Sequence, residues 1–152
     1  MYGNYLDPAF AGMKGDAGDD RVESFPVGAA GLGFGLVCGT DASGILVPGP
    51  GTKLRGASLH SHTITGSGYV QFDCASVMTR GHSWLQVAAD GAVTPDGPVT
   101  FAADGRVGDD EANTLPNAVF RSAAVQVENG VIALVELHNP FAQAPASPAP
   151  GG

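Results

Sequence analysis

The clearest alternation of apolar and polar positions lies near the C-terminus and predicts a β-hairpin over residues 115–139. Two β-branched runs flank the dipeptide Asn129-Gly130, which favours the positive φ angles of a tight type I′ turn. With these two residues as the loop, Val127 faces Ile132 on one side of the hairpin. The opposite side is also mostly apolar, so we expect the returning strand, 131–137, to be a central strand with both faces covered.

Shorter apolar runs of strand length recur from Pro26 onwards, and turn residues separate them. The turns contain Gly and Pro clusters and Asp-Gly pairs at 90–91, 96–97 and 104–105, which favour tight turns. Runs spaced about 8–12 residues apart are typical of an all-β domain. We therefore predict an all-β fold, a single small β-barrel or β-sandwich over residues 26–139, and the pattern leaves barrel and sandwich open.

The two ends of the chain lack this pattern. Residues 1–25 show little apolar periodicity but carry large apolar side chains around an acidic, Gly-rich stretch. Such side chains need to be buried, so we predict an extended N-terminal arm that docks onto a neighbouring subunit; the alternative is an arm packed on its own domain. Residues 140–152 are rich in Pro and Ala, which predicts a flexible tail. The arm residues expected to reach a partner are Tyr2, Tyr5, Leu6, Phe10 and Phe25.

Composition and charge narrow the class of partner. The 23 Gly and 11 Pro among 152 residues work against long helices, because Gly costs ~1 kcal/mol and Pro ~3 kcal/mol in a helix interior. The net charge is −8, and the seven Lys and Arg residues are scattered singly. Without a basic patch, neither nucleic acid nor an anionic membrane surface is an expected partner. The N-terminus does not resemble a signal peptide, and no apolar run approaches the ~20 residues of a membrane span.

Two stretches resemble chemical sites but lack essential parts. His60 and His62 would share one face of a strand and could chelate a metal, but no third ligand follows at a diagnostic spacing. Ser83 stands in Gly81-His-Ser-Trp-Leu85, where Leu85 replaces the second glycine of a nucleophile elbow and no helix follows. We therefore expect no catalytic site, no metal and no cofactor, and we interpret the protein as a non-enzymatic binding or structural domain.

The cysteines and the sole tryptophan have simpler interpretations. Cys38 and Cys74 lie in apolar, strand-like contexts, and without an export signal we expect both to be reduced and buried rather than joined in a disulfide. Trp84 is expected to be a core residue. The alternative is an exposed platform, formed by Trp84 and Tyr69, on which a ligand stacks.

Several phrases of the sequence match a known family when they are taken in order. They are YLDPAFAGM (5–13), FGLV (34–37), ILVP (45–48), GASLHSH (56–62), RGHSWLQV (80–87), LPNAVF (115–120) and VIALVEL (131–137). In this order and spacing the chain resembles the structural cement, or capsid decoration, proteins of tailed bacteriophages. The resemblance covers nearly all residues up to Asn139 and excludes the tail.

The resemblance implies a non-enzymatic protein of the virion. Such a protein would be made in the host cytoplasm, bind the outer surface of the icosahedral head as a homotrimer, and tie neighbouring major capsid protein subunits together. The alternative function is a β-sandwich carbohydrate- or protein-binding module of a virion tail or baseplate appendage, which would use the platform of Trp84 and Tyr69. A metal-dependent hydrolase built on His60, His62 and His82 is a third, more distant hypothesis.

Overall fold

The structure is a computed structural model that describes residues 9–61, 68–89, 91–128 and 130–140, apart from the side chains of 16–19. The regular elements in these residues are all β-strands, which confirms the all-β prediction. The strands are β1 (Lys14–Pro26), β2 (Leu32–Gly33), β3 (Val37–Thr40), β4 (Leu46–Pro48), β5 (Lys53–Ser58), β6 (Gly68–Tyr69), β7 (Cys74–Gln86), β8 (Pro98–Phe101), β9 (Val107–Gly108), β10 (Asn113–Phe120), β11 (Val125–Val127) and β12 (Gly130–His138).

Ten of these strands form one hydrogen-bonded network, in which neighbouring strands are antiparallel. Eight follow the order β4-β3-β5-β7-β12-β10-β8-β9, while β1 pairs with β7 and β11 pairs with β12. The order does not close on itself, so the described part of the chain is sandwich-like and is not a closed barrel. β2 and β6 form a separate two-stranded sheet.

Strand β7 joins the two halves of this network. Its first part pairs with β5 at Val77 and Met78, and its second part pairs with β12 from Arg80 to Gln86. The opposite edge of β7 pairs with β1 along most of its length. Because three strands bond to it, β7 fixes where the N-terminal part of the chain lies relative to the core.

The core consists of three clusters of buried apolar side chains. Successive residues of a strand point to opposite faces, so neighbours such as Val37 and Cys38 on β3 belong to different clusters. The largest cluster includes Phe101, Phe120, Leu85, Leu115 and Val135. The second includes Phe34, Tyr69, Leu46 and Val77, and the third includes Ala9, Val127 and Ile132.

The C-terminal hairpin differs from its predicted register. Val127 pairs with Gly130 and Val125 pairs with Ile132, so the pairing is shifted by two residues from the register predicted for a loop of Asn129 and Gly130. Gly130 has a φ of +135° and begins β12 instead of completing the turn. A shift of two residues leaves each side chain on its original face, so Val127 and Ile132 still share one cluster. β12 lies between β7 and the pair β10 and β11.

The first strand of the hairpin is interrupted. Residues 121–124 separate β10 from β11, and they lie opposite only two residues of β12. Across this gap the backbone N–H of Arg121 donates to the Leu134 carbonyl at 2.7 Å. The N–H of Leu134 donates to the Ser122 hydroxyl at 3.0 Å. The Ser122 side chain therefore replaces a backbone partner where the ladder is broken.

The second half of the predicted arm is a strand. The sequence predicts no regular structure over 1–25, whereas Lys14–Pro26 is β1 and pairs with β7. Residues 17–20 lie opposite the single residue Gly81, since Asp16 pairs with His82 and Arg21 pairs with Arg80. This bulge interrupts the two-residue alternation by which a strand is recognised.

Strand β1 is an edge strand that carries features known to discourage further pairing. In the described residues it pairs with β7 alone. Lys14 lies 2.6 Å from the Asp20 carboxylate, and this hydrogen bond lowers the pKa of that carboxyl group. Charged side chains, a bulge and a terminal proline, Pro26, all protect an edge from uncontrolled addition of another strand.

Candidate interaction surface

The residues predicted to reach a partner fall into three groups in the structure. Tyr2, Tyr5 and Leu6 lie outside the described residues. Phe10 is 44% exposed. Phe25 is partly buried and packs against the second core cluster, with the Arg55 guanidinium 4.9 Å from its ring centroid. Of the described residues in the set, Phe10 is therefore the one with an exposed apolar side chain.

The chain is fixed to the domain immediately after Phe10. The N–H of Gly12 donates to the Trp84 carbonyl at 2.7 Å, and the N–H of Trp84 donates to the Met13 carbonyl at 2.9 Å. The Gly12 carbonyl accepts from the N–H of His60 at 3.1 Å. Gly12 has a φ of +81°, and a Cβ there would lie 2.5 Å from the His60 nitrogen, so only glycine fits this junction.

A row of aromatic rings extends from Phe10 into the domain. The Phe10 and His60 ring centroids are 4.8 Å apart, those of His60 and Phe34 are 4.7 Å apart, and those of Phe34 and Tyr69 are 5.2 Å apart. These separations are typical of favourable edge-to-face and tilted ring pairs. The Tyr69 hydroxyl at the end of the row donates to the Leu59 carbonyl at 2.6 Å.

Tyr69 is followed by the most exposed apolar side chains of the described residues. Val70 is 64% exposed and Phe72 is 88% exposed. The sequence does not indicate their exposure, because residues 69–78 alternate like a strand and no glycine or asparagine marks the turn at Phe72. Phe10 thus lies at one end of the aromatic row, and Val70 and Phe72 follow Tyr69 at the other end.

A polar cluster lies on the surface of β7 and β12. Glu136 accepts from His138 and lies 3.1 Å from the His82 ring nitrogen. Arg121 is 3.8 Å from the same carboxylate. The hydrogen bond with His138, and then the charges of its neighbours, lower the pKa of Glu136. This cluster ties adjacent strands together electrostatically.

The candidate chemical sites of the sequence are not assembled among the described residues. Ser83 is fully buried, and its hydroxyl lies 3.5 Å from the Met13 carbonyl rather than beside a base. No group of three or more His, Cys, Asp or Glu in the described part of the chain is arranged to hold a metal, and His62 lies outside that part. Within the same limits, no helix is long and apolar enough to cross a membrane.

The alternative ligand platform is not formed. Tyr69 is only 3% exposed, and Trp84 is half-buried against the third core cluster. Two rings that stack a ligand must both present a face to solvent, so Trp84 and Tyr69 do not make such a surface. Instead, Trp84 packs against a cluster that includes Ala9 of the N-terminal segment. Tyr69 ends the aromatic row that begins at Phe10 of the same segment.

One of the two cysteines differs from its expected environment. Cys38 is buried and Cys74 is exposed, and both are free thiols. Burial raises the pKa of the Cys38 thiol, which donates weakly to the Gly56 carbonyl at 3.6 Å. The prediction that both would be buried is wrong for Cys74, because the first residue of β7 lies at the exposed end of the strand.

The fold defines a sandwich-like, all-β protein, and its described surface carries exposed apolar side chains. The family model for "structural cement protein (E217 gp24/Pam3 gp6)" of phages matches residues 1–138. The chain belongs to this family, which confirms the resemblance drawn from the sequence. A search of curated proteins finds no match.

A solved structure supports the fold assignment. A chain of "The capsid of Myoviridae Phage XM1" superposes with a TM-score of 0.70 at 21% identity, and the match covers 92% of this chain and 98% of that one. At this level of identity the likeness establishes a shared fold.

Proposed function

We propose that the protein is a capsid cement protein that binds the outer surface of an icosahedral phage head. There it stabilises the shell by bridging neighbouring major capsid protein subunits. The observation that carries this proposal is the family match over residues 1–138. The capsid origin of the similar solved chain and the structural character of the family, which is in general non-enzymatic, agree with it.

The proposed contact with the shell is the N-terminal segment. Phe10 presents an exposed ring, and the bonds at Gly12 hold the chain to a fixed point on the domain. We propose Tyr2, Tyr5, Leu6 and Phe10 as the anchors, because aromatic side chains bury large areas at interfaces. Phe25 has its ring packed against its own domain, so its proposed part is to hold β1.

The proposed assembly is a homotrimer that projects three such segments. Once one segment has bound, each further contact is intramolecular and takes place at a high effective concentration. Weak single contacts would then add up to stable attachment. The net charge of −8 fits a surface that does not bind the packaged nucleic acid.

Truncation tests the proposal with a matched control. Deleting residues 1–8 removes three proposed anchors and leaves every described contact of Ala9 to Met13 in place. Deleting residues 145–152 removes the same number of residues beyond the family match. We expect both proteins to fold, and we expect only the first to lose affinity for capsid shells in a sedimentation assay. Equal binding by the two proteins would refute the role of the N-terminal segment.

A further inference from the structure

The turn between β6 and β7 exposes apolar surface that the fold does not use. Phe72 is 88% exposed and Val70 is 64% exposed. The other exposed large apolar side chains among the described residues are Phe10 and Val22, at 44% and 38%. Single exposed apolar residues are ordinary, but two neighbours at this level of exposure form a small apolar protrusion.

The backbone of this protrusion is strained at its most exposed residue. Phe72 has a φ of +74°, a left-handed conformation in which a bulky side chain is a genuine outlier. It occupies the third position of a four-residue turn, which glycine or asparagine normally fills. Glycine at this position would favour folding, so the phenylalanine is not explained by the stability of the turn.

The strained conformation is held by hydrogen bonds on both sides. Within the turn, the N–H of Asp73 donates to the Val70 carbonyl at 3.0 Å, and the Asp73 carboxylate accepts from the N–H of Val70 at 2.8 Å. The turn is also tied to Val27, whose carbonyl accepts from Phe72 at 3.1 Å and whose N–H donates to Asp73 at 2.9 Å. The two side chains are thus presented on a rigid base, which lowers the entropy lost on binding.

We propose that this turn is a second, preformed contact with the shell, in which Phe72 and Val70 insert into an apolar pocket of the major capsid protein. The inference rests on the proposed cement function and names a contact distinct from the N-terminal segment. A backbone strained to project an exposed aromatic ring is the kind of feature that marks a binding site. Buried aromatic anchors dominate the affinity of most protein interfaces.

The size of the protrusion argues for a supplementary contact rather than an independent one. The two side chains can bury roughly 300 Å², whereas a stable interface needs about 800 Å² from each partner. The turn therefore cannot hold a dimer of this chain by itself. It can strengthen an attachment that is already made through another part of the molecule.

The position of the turn indicates which partner it meets. The aromatic row links Phe10 of the N-terminal segment to Tyr69, and Val70 is the next residue. A molecule held on the shell by its N-terminal segment brings this turn to the same shell at high effective concentration. Among the described residues, a second copy could offer Phe10, Val22 and its own Val70 and Phe72 as exposed large apolar counterparts, but two such turns in contact would bury only roughly 300 Å² on each side, far below what a stable interface needs. The major capsid protein is therefore the partner that the arrangement favours.

The test compares binding with stability in one variant of the full-length protein. Phe72→Gly removes the ring and relieves the strain at positive φ. We expect its dissociation constant for capsid shells to rise about 30-fold or more, while its melting temperature stays level or rises. Gln71→Ala, an exposed polar change in the same turn, should bind within about threefold of the unmodified protein.

The outcomes separate this inference from the proposed function. If the unmodified protein does not bind shells at all, the cement function itself fails. If the unmodified protein binds and Phe72→Gly binds equally well, only the turn contact is overturned. A lowered melting temperature in Phe72→Gly would mean that the ring packs within the fold, which also overturns it. A changed oligomeric state in sedimentation velocity, with shell binding intact, would assign the turn to a second copy instead.

Discussion

The contrast between two phenylalanines gives a quantitative test of the fold. Phe101 lies on β8, is 1% exposed and belongs to the largest core cluster. Phe72 is 88% exposed in the turn before β7. The same substitution, to alanine, removes the same atoms at both positions, so the difference between the two variants reports mainly burial.

The expected magnitudes follow from the two environments. Phe101→Ala loses the transfer free energy of the ring and leaves a cavity, which together cost about 3–5 kcal/mol. That is a large part of the 5–15 kcal/mol by which a domain is stable. It corresponds to a fall in melting temperature of roughly 6–20 °C for a chain of this size. Phe72→Ala removes a ring that is already in water and keeps the positive φ, so its effect should stay within about 0.5 kcal/mol.

Urea unfolding followed by far-ultraviolet circular dichroism measures both free energies. The half-buried Trp84, which packs against the third core cluster, supplies fluorescence as an independent signal. Equal slopes in the unfolding curves of the unmodified protein and the two variants would show that their unfolded states are comparable. A loss of more than about 2 kcal/mol in Phe72→Ala, or a loss below about 1 kcal/mol in Phe101→Ala, would refute the assignment of these two rings.

Three further predictions concern the junction, the polar cluster and the thiols. Gly12 and Gly44 have φ of +81° and +82°, but of these two only Gly12 would bring an added Cβ to 2.5 Å from a backbone nitrogen. Gly44→Ala should therefore lose about 1 kcal/mol in thermal unfolding, Gly12→Ala should lose markedly more, and equal losses would contradict the close contact. The pKa of Glu136 is lowered from 4.5, so its contribution to stability is present above that pH and is lost as the pH falls through the lower folded value. Glu136→Gln should thus have a lower free energy of unfolding than the unmodified protein near neutral pH, and the two values should become equal in acid. If urea titrations from neutral to acid pH show a constant difference in this free energy, the assignment is contradicted. Cys74 should react with a thiol reagent in the native protein and Cys38 only after unfolding, and two fast-reacting thiols would contradict the burial of Cys38.

The strands that the sequence analysis found are those in which alternation is uninterrupted. Val127 and Ile132 keep their shared face because a shift of two residues does not change the side to which a strand residue points. The predicted register is wrong by two residues, since Val127 pairs with Gly130, which begins β12. The preference of Asn-Gly for a tight turn does not by itself decide the register. The break between β10 and β11 at residues 121–124 also affects which residues of the two strands pair.

The strand that the sequence analysis missed is the one with the most irregular pairing. Residues 17–20 lie opposite Gly81 alone, so the alternation on the two sides of this bulge does not join into one pattern. The charges that protect the exposed edge of β1 also lower its apolar content. A charged edge strand with a bulge therefore resembles an unstructured arm when only the sequence is read.

Of the exposed apolar residues, the sequence indicates Phe10 but not Phe72. The physical reason differs from the one that hides β1. The apolar content of the N-terminal segment is visible in the sequence and indicates Phe10. The exposure of Phe72 is not visible, because a Val-Gln-Phe alternation is equally typical of a buried strand. The partner's complementary surface belongs to another chain, so this sequence carries no information about it. The family, by contrast, is recognisable from short phrases in order, since these carry the core and junction positions that the fold requires.

Imaging of the phage particle tests the central claim most directly. If the protein is a cement protein of the outer surface, density of this fold should lie on the outside of the head and span neighbouring major capsid protein subunits. The N-terminal segment and the turn at Phe72 should both face the shell. Density of this fold on the tail or the baseplate, or on the inner face of the shell, would contradict the account.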